Sequence, residues 1–115
     1  MEDKKVEKPW GHYEVVFHNS LTKLKIITIF PKQKISLQSH VKRSEHWVVL
    51  EGKAIVCVGD EVSSLEVNQY IFIPVGERHR IENNELTDLR IVEVQTGQSF
   101  NEDDIVRYND IYGRV

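Results

Sequence analysis

Cysteine is nearly missing from this 115-residue chain. The one thiol, Cys57, has no partner for an internal disulfide, which excludes a disulfide-stapled fold and fits a reducing, cytoplasmic compartment. Positive charge is not in excess either: 15 Lys and Arg stand against 18 Asp and Glu, a formal net charge of -3. No basic field is available to hold a nucleic-acid backbone, so no nucleic-acid partner is expected. No apolar run approaches the ~20 residues of a membrane-spanning helix, and no membrane partner is expected. Residues 1–8 are charged and lack the apolar core of a secretory signal, so they read as a flexible leader. No repeat, linker or low-complexity stretch divides the rest, which leaves residues 9–115 as one domain and excludes a multidomain enzyme.

Helical periodicity is also absent from residue 11 to residue 95. The pattern there is short apolar or alternating runs rich in Val, Ile, Phe and Tyr, cut by Gly, Pro, Asn and Asp. Such punctuation predicts about nine strands, at 12–17, 24–30, 35–38, 46–50, 53–58, 62–67, 70–73, 79–82 and 89–95. Spacing of roughly ten residues favours an all-β antiparallel sandwich or barrel over a parallel sheet with crossover helices. Glu51-Gly52 and Gly59-Asp60 read as hairpin turns. Past Gln95 the texture changes: Asn101 is placed to cap a short C-terminal helix, with Glu102, Asp103 and Asp104 in its first turn.

Several polar side chains fall where strands should be apolar. Gln38 and His40 are two apart at a strand end and share a face, and Glu45 opens the next run, so donors from one hairpin converge. A fourth donor, His79, is delivered by the tight turn Pro74-Val75-Gly76-Glu77-Arg78. Glu93 and Gln95 share a face with Leu89 and Ile91, a costly placement unless they are paired. They are candidates to line a cavity, Glu93 as an acid or base and Gln95 as a substrate contact, or to bond their neighbours. His46 has the opposite parity from Glu45 and should point outward, while Trp10 and Trp47 read as packing residues.

The spacing Gln38-x-His40-x4-Glu45-x6-Gly52, followed by Pro74-x-Gly76-x2-His79-x3-Asn83, resembles the two signature motifs of the cupin superfamily. Gln38 stands where the first motif usually has histidine, and Lys32 where it usually has glycine. A resemblance over nearly the whole chain is to the type II mannose-6-phosphate isomerase domain. It runs from Pro9-Trp10-Gly11-x-Tyr13-Glu14 through Arg43-x-Glu45-His46-Trp47-Val48-Val49 to Glu93-Val94-Gln95-x-Gly97, Glu102-Asp103-Asp104-Ile105-Val106-Arg107 and Asp110-x-Tyr112-Gly113-Arg114. That domain often forms the C-terminal part of a protein that is also a mannose-1-phosphate guanylyltransferase. The resemblance implies a cupin jelly-roll barrel and one divalent metal ion on Gln38, His40, Glu45 and His79. The mixed donor set suits Zn, Mn, Fe or Ni without selecting one. It also implies a sugar-phosphate substrate, a role in GDP-mannose and polysaccharide synthesis, and a homodimer, as small cupins usually form.

Lys42 stands where the family commonly has histidine. It shares the parity of Gln38 and His40, so a persistent strand would turn its ammonium into the barrel mouth, as a phosphate anchor or base. Arg43, Arg78 and Arg80 flank the same loops and suit bidentate phosphate binding. Exchanging an aldose phosphate and a ketose phosphate moves protons between adjacent carbons and oxygens. A divalent metal eases that by stabilising negative charge while a tuned side chain shuttles the proton. Glu93, Lys42 and His46 are the candidate bases. Two alternatives stand beside the isomerase: a cupin epimerase or isomerase of another activated sugar, and a non-catalytic sugar-binding cupin.

Overall fold

Alternating side chains force alternating faces, and the computed structural model, which describes residues 5–113, is built from that rule. Eleven strands form two antiparallel sheets. The six-stranded sheet runs β1 (Lys5–Lys8), β2 (Gly11–His18), β3 (Thr22–Ile29), β10 (Leu89–Gly97), β5 (Arg43–Glu51) and β8 (Tyr70–Ile73). The five-stranded sheet runs β11 (Val106–Asn109), β4 (Leu37–Ser39), β9 (His79–Glu82), β6 (Ala54–Val58) and β7 (Glu61–Leu65). Their inner faces meet over Ile29, Val49, Ile73, Ile81, Leu89 and Ile91, all at most 1% exposed. Each such side chain is worth roughly 1.5–3 kcal/mol of transfer free energy. The nine expected strands are all present, the third displaced to Leu37–Ser39, within the expected antiparallel all-β architecture. No described residue lies in a helix, so no helix there is long and apolar enough to cross a membrane.

Three expectations need correction. The flexible leader does not extend to residue 8: Lys5–Lys8 pair with β2 from Lys5↔Glu14 to Lys8↔Gly11, and Val6 packs on the core. Residues 1–4, and Arg114 with them, lie outside the described residues. Nor does a C-terminal helix form. Asn101 caps a single turn, its Oδ1 accepting from Asp103 N at 2.8 Å and its carbonyl from Asp104 N at 3.1 Å. The acidic residues after it are then drawn apart. Glu102 is pulled to Lys23 and Lys25, and Asp104 accepts from the Val41 and Lys42 N–H groups, each at 2.9 Å. These bonds outweigh helix propagation, and the chain enters β11 directly. Finally, Gly59-Asp60 does join the paired strands β6 and β7, but Glu51-Gly52 carries the chain from one sheet to the other. It is a corner, not a hairpin.

Candidate functional site

The strands place Gln38, His40, Glu45 and His79 around one end of the barrel. Gln38 of β4 lies directly opposite His79 of β9, so both project from the same face. His40 follows the end of β4, and its carbonyl accepts from Gly76 N at 2.8 Å, which docks the Pro74-Gly76 turn onto the His40 loop. Glu45 reaches the same point from the opposing sheet, on β5. Glu45, His40 and His79 are at most 2% exposed, and their donor atoms all lie within 4.8 Å of one another. Asn83, the end of the second motif, serves the fold instead: its amide donates to the Ile29 and Thr87 carbonyls at 2.9 and 2.8 Å.

The protonation of this cluster follows from its partners. His40 Nδ1 is 2.6 Å from the Asp104 carbonyl and His79 Nδ1 is 2.9 Å from the Glu77 carbonyl. A carbonyl only accepts, so both Nδ1 atoms carry the proton, and each Nε2 turns a lone pair inward. Burial, then the Arg43 guanidinium, lowers His40 to about 4, and burial likewise lowers His79. Both rings are therefore neutral near pH 7. His40 Nε2 lies 3.3 Å from Glu45 Oε2, and His79 Nε2 lies 3.8 Å from Glu45 Oε1. These are contacts between lone pairs rather than ion pairs, and His79 Nε2 is buried with no hydrogen-bond partner. Donors on one ion at ~2.1 Å stand about 3.0–3.4 Å apart. His40 Nε2 and Glu45 Oε2 already stand at that spacing and His79 Nε2 somewhat beyond it, so two preset imidazoles and one carboxylate suit a divalent cation, with Gln38, whose amide oxygen accepts from Ser36 Oγ at 2.9 Å, on the same face as His79.

Behind the cluster runs a second layer, in which Glu93 and Gln95 face inward as expected and Trp47 forms bonds that were not expected. Trp47 Nε1 donates to Glu45 Oε1 and to Glu93 Oε2, 3.1 Å each, and Gln95 Nε2 donates to Glu93 Oε1 at 2.6 Å. Trp47 is thus more than packing: its indole N–H couples the two carboxylates. Register explains it, because Trp47 faces Glu93 and Glu45 faces Gln95 across the β5–β10 pair. Gly97, at the end of that pair, sits so close that a Cβ would stand 2.3 Å from the Lys42 carbonyl. Burial first, and then the neighbouring Glu45 carboxylate, push Glu93 up to about 7. Glu93 lines the cavity, whereas Gln95 is fully buried, its amide nitrogen on Glu93 and its Oε1 without a hydrogen-bond partner.

Of the four expected phosphate or proton contacts at the mouth, only Arg43 reaches the cavity. Its Nε donates to Glu45 Oε2 at 3.0 Å, and a terminal nitrogen lies 3.4 Å from His40 Nε2. Lys42 does not face inward, because β4 ends at Ser39 and the parity argument ends with it. The residue is exposed, on a separate shallow depression with Asp103 and Asp104. Arg78 is half exposed, 3.8 Å from Asp60. Arg80 has the opposite parity from His79 on β9 and pairs with Cys57, so it leaves the inner face. His46 is exposed as expected and stacks on Phe72 with centroids 4.6 Å apart. Cations the sequence reading passed over line the cavity instead: Lys8, Lys25 and Arg107. Lys25 Nζ is 2.7 Å from Glu102 Oε2, which also takes Lys23 Nζ at 3.0 Å. Burial alone would raise Glu102, but the two ammoniums hold it down to about 2.

Comparison with known proteins adds to this geometry. The family model described as mannose-6-phosphate isomerase C-terminal matches residues 1–110. The xanthan biosynthesis protein XanB of Xanthomonas campestris is 45% identical over 112 residues, 97% of this chain and 24% of that protein. A mannose-1-phosphate guanylyltransferase of Salmonella typhimurium is 41% identical over 112 residues, 97% of this chain and 23% of that protein. The chain thus spans about a quarter of the length of these curated relatives. Among solved structures, a cupin domain from Schizosaccharomyces pombe superposes with a TM-score of 0.72 at 13% identity, over 75% of this chain and 64% of that one. At that identity the likeness speaks for the fold alone, and the fold is the cupin barrel.

Proposed function

Because the chain belongs to the mannose-6-phosphate isomerase C-terminal family, we propose that it interconverts mannose 6-phosphate and fructose 6-phosphate with the help of one divalent metal ion. The observation that carries this reading is the convergence of two neutral imidazoles and a carboxylate on one point, beside a cavity that His40 and Glu93 line. The ion, held by His40, Glu45, His79 and Gln38, would supply Lewis acidity toward the substrate oxygens.

The protein's own part is positioning and proton transfer. The Asp104 and Glu77 carbonyls fix both imidazole tautomers, and Arg43 neutralises Glu45 from the side. Glu93 is the proton carrier: its carboxylate borders the cavity, with Trp47 and Gln95 each holding one oxygen. Gln95 and Trp47 aim that carboxylate. The product would feed GDP-mannose and polysaccharide synthesis, in keeping with the xanthan biosynthesis relative. Lys42, outside the cavity, takes no part in this reading.

The test is an aldose–ketose isomerase assay on a panel of sugar phosphates, after chelation and after re-addition of Zn, Mn, Fe or Ni. Metal-dependent formation of fructose 6-phosphate from mannose 6-phosphate is expected. Turnover that survives chelation, or a preference for another sugar phosphate, contradicts the proposal.

A further inference from the structure

Arg107 is the unexplained charge of this molecule. It stands on β11 directly opposite Gln38, which stands opposite His79. The three residues therefore form a row across the inner face of the five-stranded sheet, and at ~4.8 Å per strand Arg107 begins about 10 Å from His79. Its side chain lines the cavity, yet its Nε is buried with no hydrogen-bond partner, and no carboxylate among the described residues pairs with it. A buried N–H left without an acceptor is costly. Across the cavity the ammoniums of Lys8 and Lys25 stand over the Tyr13 ring, 6.0 and 4.1 Å from its centroid. Lys25 also pairs with Glu102 Oε2, which Lys23 shares. Arg43, by contrast, is already engaged with Glu45.

We propose that Arg107, facing Lys8 and Lys25 across the cavity, is the phosphate-binding residue, taking a phosphate monoester whose sugar end extends toward His40, Glu45 and His79. This rests on the sugar-phosphate reading above and replaces Arg78 and Arg80 in the role the sequence suggested. The planar fork of a guanidinium matches two phosphate oxygens at once, and the opposite wall supplies point charges to a dianion. Selectivity follows: an unphosphorylated sugar leaves the Arg107 Nε–H unpaired.

The experiment is calorimetric binding of inorganic phosphate and mannose 6-phosphate to the full chain and its variants. Arg107→Gln should weaken both by about thirtyfold or more, Arg107→Lys should recover part of the loss, and Arg78→Gln and Arg80→Gln should bind as wild type. Wild-type affinity in Arg107→Gln, or loss in the Arg78 and Arg80 variants, overturns the assignment. If Arg107→Gln does not fold, the Nε–H resonance of Arg107 in the wild-type chain decides: phosphate should shift it, and an unmoved signal ends the proposal. The two readings fail separately. Mannose 6-phosphate turnover with a KM untouched by Arg107→Gln keeps the isomerase and removes the Arg107 role. Arg107-dependent phosphate binding without turnover of any hexose phosphate does the reverse.

Discussion

The two ends of the cavity are built on opposite principles. At one end, behind His40, the His40, Glu45 and His79 lone pairs lie within 4.8 Å of one another. At the other, Arg107, Lys8 and Lys25 line the wall, with Lys25 paired to Glu102. Either arrangement alone is a burial penalty without return. Together they describe a ligand with an oxygen-rich, metal-seeking end and an anionic end, which is the shape of a sugar phosphate. The difference also shows how the fold divides the labour: the acceptor end comes from β5, β9 and the loop after β4, which Gly76 N bonds at the His40 carbonyl, whereas the cationic end comes from β1, β3 and β11, two of them edge strands.

Breaking the acceptor end should have the largest effect. His40→Ala or His79→Ala should lower metal affinity beyond the ~10–100-fold that loss of a supporting residue brings, while phosphate binding at Arg107 stays within a few-fold of wild type. Elemental analysis of dialysed protein, with circular dichroism as the check on folding, measures it. Equal metal in variant and wild type breaks the comparison. Trp47→Phe should cost less, about 10–100-fold in metal affinity, because Glu45 and Glu93 lose their shared donor. Competition with a chelator reads that loss.

At the cationic end the expected signature is in pH. Glu102 is held at about 2, below its ordinary value near 4.5. A depressed carboxylate stabilises the fold above its unfolded pKa, and that contribution disappears as pH falls through 4.5 toward 2. Glu102→Gln should lack this component, so its melting temperature should fall less steeply than wild type between pH 4.5 and 2. Parallel curves would show that the Lys23–Glu102–Lys25 contacts carry no net stability. Since Glu102 is 45% exposed in its side chain, the effect should be modest.

Two smaller tests bound the site. Lys42→Ala should leave metal content and KM for mannose 6-phosphate unchanged, since the residue lies outside the cavity; a raised KM would restore its anchoring role. Lys32 adopts φ of 65°, the left-handed region, at the position where its resemblance to cupins predicts glycine. Lys32→Gly should raise stability by roughly 0.5–1 kcal/mol, less strain against more chain entropy, as denaturant unfolding would show.

The acceptor end was legible in the sequence because its residues sit in short windows whose spacing survives in the strands: Gln38 to Glu45, and Pro74 to His79. Parity worked wherever a strand continued, as it did for Glu93, Gln95 and His46. It failed at Lys42, because β4 ends three residues earlier and the Asp104 carboxylate takes over the Val41 and Lys42 N–H groups. The cationic end was not legible. Lys8, Lys25 and Arg107 are far apart in the chain, and β1 and β11 are four-residue strands that alternate too briefly to declare themselves. The acidic run at 102–104 read as a helix start because local propensity points there, while its real partners, Lys23, Lys25 and the loop at 41–42, come from distant strands.

The most direct test of the central claim is a titration of the chelated chain with Zn(II), following the side-chain nitrogen resonances of its five histidines. The account predicts that one equivalent moves the Nε2 signals of His40 and His79 together and leaves those of His12, His18 and His46 in place. If His12, His18 or His46 respond instead, or if His40 and His79 keep their signals at saturating metal, the cluster is not a metal site and the isomerase reading built on it fails.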